Sequence, residues 1–252
     1  MAVSPPFLRN SYTTPSDSTT TQANVDVTAG DLIIVAFRSD GTSLQTTTCS
    51  DNAAGGSNTY REVGSGVYIS NATSTIHLFY AIAKATETIG LITITTGESG
   101  YTVVTVHVVA NMDQNINTVL DSYSFGSAEG AAALNHTSNA IVTNFPNAYL
   151  FCFWTEDVTN SVVVTEGDTG FTKRQSNTDY YTGGPSASLD KVVSETGTYF
   201  DRMTCSPASY YAHVIAAFRG MTTGGPGAFQ ANAFQNNAFQ VAYDATRMFL
   251  TF

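Results

Sequence analysis

Short runs of β-branched and aromatic residues, each closed by a polar turn, constrain this chain more than any other feature. They read LIIVAF from Leu32, STIHLFYA from Ser74, YTVVTVHVV from Tyr101, YLFCFW from Tyr149 and YYAHVIAAF from Tyr210. Each run is short for an ordinary helix, and its residue types favour strands. Gly, Asn and Asp punctuate them, as at Ala29-Gly30-Asp31 and from Asp51 to Asn58. The chain is therefore expected to be all-β: an antiparallel β-sandwich or jelly roll. Leu32 to Phe37 is expected as an apolar strand, and Thr75 to Ala83 as a strand facing core on one side. A single helical turn is expected only at Ala131 to Leu134.

The pattern occurs twice in outline. ANVDVTAGDLIIVAFRSD is matched by SNAIVTNFPNAYLFCFWTED. TTTCSDNAAGGSNTYREV is matched by NSVVVTEGDTGFTKRQ, and YTVVTVHVVAN by ASYYAHVIAAFRG. One strand layout is thus expected over residues 23–111 and again over 138–220, as two sandwiches or two halves of one. Residues 112–137 would connect them. Residues 1–22 carry Pro5, Pro6 and Pro15, which argue against a helix or central strand. They read as an arm anchored by Phe7 and Leu8.

Residues 221–252 differ in kind. After MTTGGPG the chain reads GAFQANAFQNNAFQVA, with Phe229, Phe234 and Phe239 recurring every five residues. That spacing fits neither the helical nor the strand period. A chain turning once per five residues would stack the three rings on one wall. Gln230, Gln235 and Gln240 could then ladder their amides. Phe249 and Phe252 continue the apolar character. A segment this short cannot cover its own apolar face. It is expected to be ordered by its own globular part, by sister chains or by a larger assembly.

Charge narrows the partners. The net charge is −10, with only 10 Lys and Arg. Phosphate-led nucleic-acid binding and attraction to anionic membranes are both disfavoured. Charged residues make up 12% of the chain, about half the usual soluble share of ~25%. A surface of Ser, Thr, Asn and Gly suits a rigid or protein-covered particle. No export signal and no bilayer-length apolar span is legible. Cys49, Cys152 and Cys205 are an odd set without disulfide spacing.

Chemistry is sparse. His77, His107 and His213 fall in predicted strands among apolar neighbours, and His136 stands apart. They read as sheet histidines rather than ligands, although strands could unite distant ones. No nucleophile elbow, phosphate loop or zinc-protease motif occurs. No catalytic residue and no cofactor is expected, and no metal site is assigned. Ca2+ at an acidic loop tip is the one cation the turns suggest. Glu156-Asp157 reads as a strand end and Glu166-Gly167-Asp168 as a turn. Trp154, Tyr180 and Tyr181 are candidate glycan or receptor contacts, against a plain reading of Trp154 as core and the tyrosines as surface.

The triplets Ala228-Phe229-Gln230, Ala233-Phe234-Gln235 and Ala238-Phe239-Gln240 resemble C-terminal repeats of tailed-bacteriophage virion structural proteins. GDLIIVAF, SDNAAGGSNTY and LFYAIAKA resemble β-sandwich modules of phage and bacterial surface proteins. The resemblance implies a non-enzymatic capsid decoration or tail component on the surface of a phage head or tail. Its partners would be its own copies, with a trimer as one common form, and the major capsid or tail proteins. A carbohydrate- or host-receptor-binding adhesin is the alternative.

Overall fold

The computed structural model describes residues 4–16, 20–41, 43–44, 47–69, 74–97, 102–157, 163–167, 169–178 and 185–221. Regular structure among them is β, and every strand pairing is antiparallel.

The first half contains β1 (Phe7–Ser16), β2 (Thr20–Val27), β3 (Leu32–Asp40), β4 (Thr48–Asp51), β5 (Arg61–Glu62), β6 (Val67–Ile69), β7 (Ser74–Ile82), β8 (Glu87–Thr95) and β9 (Thr102–Ala110). The second contains β10 (Leu120–Thr137), β11 (Ile141–Thr143), β12 (Ala148–Asp157), β13 (Val163–Glu166), β14 (Thr172–Asn177), β15 (Ser186–Val193), β16 (Gly197–Tyr199) and β17 (Arg202–Arg219).

One large sheet runs β1-β9-β3-β7-β5, with β6 also on β7. The other runs β10-β17-β12-β15-β14, with β13 also on β17. Position by position, the two orders correspond: β1 to β10, β9 to β17, β3 to β12, β7 to β15 and β5 to β14. Small sheets flank them, β2-β8-β4 in the first half and β11-β16 in the second. The halves differ where β13 joins β17, whereas β4 joins β8.

Three cores explain the unbroken apolar runs. Leu32, Ile34 and Ala36 of β3 meet Tyr149, Phe151 and Phe153 of β12 in a central core between the large sheets. The alternate residues Ile33, Val35 and Phe37 face Val25, Ile89 and Ile92 of the first small sheet. Leu150, Cys152 and Trp154 face Ile141, Met203 and Tyr199 in the third core. A strand covered on both faces has no solvent side to leave polar. Hence β7 is buried along nearly its whole length, with Ile76, Leu78 and Tyr80 central and Phe79 outward. The expectation that Thr75 to Ala83 meets core on one side only is corrected.

Turns follow the residues that require them. Gly30 before β3 has φ +89°, and Asn147 before β12 has φ +59°. Both occupy left-handed backbone that β-branched residues avoid. The Asp51–Asn58 turn is organised by one carboxylate. Asp51 Oδ1 accepts from the Ala53 and Asn58 amides at 3.2 and 3.1 Å, and Oδ2 from Tyr60 at 2.9 Å.

The helical turn expected at Ala131 to Leu134 is absent. These residues lie inside β10, where Ala133 pairs with Ser209 of β17. Alanine's helix preference is weak beside a full antiparallel ladder. Most of the expected connector is thus strand, and only residues 111–119 join the halves. The proline-rich arm runs along its own body as β1, at the edge of the first sheet, which tolerates Pro15.

Candidate functional site

Strand ends gather at one pole of the body. Asn111 closes β9 with φ +61°. Its carbonyl accepts the Met221 amide at 2.8 Å, and its Nδ2 donates to the Pro5 carbonyl at 3.1 Å. The neighbouring Gly220 amide donates to the Asn147 carbonyl at 2.8 Å. A Cβ on Gly220 would lie 2.2 Å from that oxygen and 2.7 Å from Pro6 Cγ, so only glycine fits. Pro5 and Met221 therefore share one residue as their tether. Leu8 turns into the central core, while Phe7 is 46% exposed and Met221 41%. Arg9 lies over the Phe7 ring at 5.4 Å and pairs with Asp31 at 2.8 Å. Of the two expected arm contacts, Leu8 serves the chain's own core and Phe7 faces outward.

A second constellation joins the halves. His107 of β9 lies between the large sheets, fully buried. Its Nδ1 is 2.9 Å from the Tyr149 hydroxyl and its Nε2 is 2.9 Å from Ser188 Oγ. Tyr149 donates to Asp190 Oδ2 at 2.7 Å, which uses its only proton. His107 Nδ1–H must then donate to Tyr149, and Ser188 must donate to Nε2. Burial, then the Arg174 charge, lowers the His107 pKa to about 3, consistent with a neutral ring. Arg174 closes the row on Asp190 with bonds of 2.9 to 3.0 Å. The serine, histidine and tyrosine side chains are buried, so the row is a polar tie through the central core.

A third constellation lies toward the opposite end. His136 near the end of β10, Glu156 near the end of β12 and Cys205 of β17 converge, all buried. His136 Nε2 is 2.8 Å from Cys205 Sγ and 3.3 Å from Glu156 Oε1. Tyr211 packs on His136 with ring centroids 4.0 Å apart, and Trp154 lies 6.2 Å away. Burial, partly offset by the Ser209 hydroxyl and reinforced by the Glu156 charge, pushes the Cys205 thiol up to about 11. A cavity of about 420 Å3 adjoins the group, lined by Asn135, His136, Thr137, Gly167, Arg202 and Thr204 among others. Among the described residues, this is the one cluster of three such groups that come within ligand distance of one another. Its donors are nitrogen, oxygen and sulfur, unlike the all-oxygen loop expected for Ca2+.

Trp154 is placed in the third core. It is fully buried and donates from Nε1 to Asp201 Oδ2 at 2.7 Å. It presents no face to a sugar, and its plain reading as a core residue holds. Burial raises the Asp201 carboxyl, and the Trp154 and Thr169 donors partly oppose that rise. Tyr180, Tyr181, Asp168 and Asp179 lie outside the described residues, as does the segment bearing Phe229, Gln230, Phe234, Gln235, Phe239, Gln240, Phe249 and Phe252. Cys49, Cys152 and Cys205 form no disulfide.

The His136, Glu156 and Cys205 meeting left no local signal in the sequence. Twenty residues separate the first two and 49 the last two. Only the register of β10, β12 and β17 unites them. No family model matches the chain, and none of the curated proteins matches it.

Proposed function

We propose that this chain is a non-enzymatic structural protein of a tailed-bacteriophage particle, a capsid decoration or tail component. The observation that carries the reading is the shared pole. The backbone leading to the Phe-repeat segment at Met221 and the amino-terminal arm at Pro5 are tethered to one residue, Asn111. Pro5 at the start of the arm and Met221 ahead of the Phe-repeat segment therefore lie at one place. The body behind them is built for rigidity: two large sheets share a core, and a buried polar row crosses it. Contacts at one pole would hold such a body upright on a surface. Aromatic rings would contribute most of the association energy. Its partners on this reading are its own copies and a major capsid or tail protein.

The adhesin alternative keeps only Tyr180 and Tyr181 of its three aromatic candidates, since Trp154 is buried.

Deleting residues 227–252 tests the reading. The shortened chain should remain soluble and folded but no longer be incorporated into particles. Unchanged occupancy would reject the proposal.

A further inference from the structure

We propose that His136, Glu156 and Cys205 form a binding site for one Zn2+-class cation per chain. The site is independent of the assembly reading.

Three observations carry it. First, the donor atoms of all three side chains lie within 4.8 Å of one another, on three different strands. Second, Glu156 is 1% exposed, yet its carboxylate meets no aligned N–H or O–H donor: its contacts are the weakly donating Cys205 thiol and an out-of-line approach of His136 Nε2 at 3.3 Å. A buried carboxylate in this condition carries a desolvation cost that native interiors rarely leave uncompensated. Third, a pocket lined in part by His136 lies beside the cluster, whose three side chains are themselves buried.

Charge decides between a cation and a plain hydrogen-bonded cluster. The cluster offers two acidic groups, Glu156 and Cys205, and one imidazole. A divalent cation with Glu156 as carboxylate and Cys205 as thiolate brings the sum to zero, and the thiol proton leaves to solvent. Donor chemistry then selects the ion. Thiolate and imidazole disfavour Ca2+ and Mg2+, which prefer oxygen, and suit Zn2+. Three protein ligands leave a fourth tetrahedral position for water. At Zn–S of about 2.3 Å and Zn–N of about 2.0–2.1 Å, tetrahedral ligands sit roughly 3.5 Å apart. The His136–Cys205 separation of 2.8 Å would need to open by under about 1 Å on binding. Tyr211 and Trp154, packed against His136, would orient its ring.

The full chain should be stripped with a chelator, exchanged into clean buffer and titrated with Co2+, which reports its ligands by colour. The expected result is saturation at one equivalent, with the intense visible bands of a tetrahedral ion and a near-ultraviolet thiolate charge-transfer band. Zn2+ should bleach both. The single Trp154 should be quenched in step with Co2+ binding, because His136 lies 6.2 Å from its ring. Cys205→Ser should abolish the charge-transfer band, and Glu156→Gln should weaken binding at least tenfold. Cys49→Ser and Cys152→Ala should keep the band, which assigns the thiolate even if the Cys205 variant does not fold. A Co2+ spectrum unchanged from the hydrated ion would overturn the proposal. So would a charge-transfer band that survives in folded Cys205→Ser or disappears in folded Cys49→Ser.

Discussion

His107 and Tyr149 meet at 2.9 Å across the boundary between the two halves of the chain. One stands on β9 of the first large sheet, the other on β12 of the second. The contact has a fixed direction, because Tyr149 gives its own proton to Asp190. A row of five side chains, from Ser188 through His107, Tyr149 and Asp190 to Arg174, thus ties the two large sheets together.

Tyr149→Phe should therefore cost more than a lost surface hydroxyl. It leaves the His107 N–H without an acceptor and removes one donor from Asp190. Each stranded buried group costs about 1–3 kcal/mol, so a loss of roughly 2–4 kcal/mol is expected in urea unfolding. Tyr123→Phe, on a residue 45% exposed, should change stability by under about 0.5 kcal/mol. Equal effects of the two substitutions would remove the row from the account.

Acid should weaken the fold through the same histidine. In the folded chain His107 resists protonation down to about 3, whereas unfolded histidine protonates near the ordinary 6.5. Between these values the unfolded state binds the extra proton, so stability falls as pH falls. The slope from this group is about 1.4 kcal/mol per pH unit, and it vanishes above about pH 6.5. His213, lowered to about 4 by burial and then by His136, adds to the loss in the same direction. Urea midpoints measured from pH 7 to pH 5 should show a shallower decline for His107→Gln than for the parent. An identical decline would mean that His107 does not govern the pH response.

The pole can be tested with one methyl group. Gly220→Ala places a Cβ against the Asn147 carbonyl and Pro6, where the backbone cannot easily yield. A loss of about 1–3 kcal/mol is expected, as for other overpacked sites. Gly55→Ala meets nothing within 4 Å and should be near neutral. Thermal unfolding of the two variants side by side would expose an error in the packing at Gly220.

Trp154→Phe should destabilise by about 2–4 kcal/mol, since it shrinks a buried ring and strips Asp201 of a charge-assisted bond. Because Trp154 is the only tryptophan, the folded parent should emit at short wavelength and shift red on unfolding. Red emission from the folded chain would contradict its burial.

Much of the fold was legible because its strands announce themselves. GDLIIVAF and NAYLFCFW mark β3 and β12. The outlines of the two segments match in sequence, and the two large sheets have corresponding strand orders. Periodicity could not tell that β7 is covered on both faces, because an apolar run looks the same against one layer or two. Ala131 to Leu134 misled because local propensity says nothing of a partner strand 76 residues away, as Ala133 and Ser209 are. The candidate site was less legible. Trp154 looked available because aromatic residues beside acids suit a surface as well as a core. His136, Glu156 and Cys205 carry no shared motif, and only strand register brings them together.

The central proposal is that rings spaced by five residues, in the segment that follows Met221 at the Asn111 pole, hold copies or partners together. Sedimentation velocity on the full chain tests it most directly, beside a variant with Phe229→Ser, Phe234→Ser and Phe239→Ser. The account predicts a closed oligomer for the parent and a monomer for the variant, with the same urea unfolding curve for the body. Matching sedimentation of the two chains, whether as monomers or as oligomers, would contradict it.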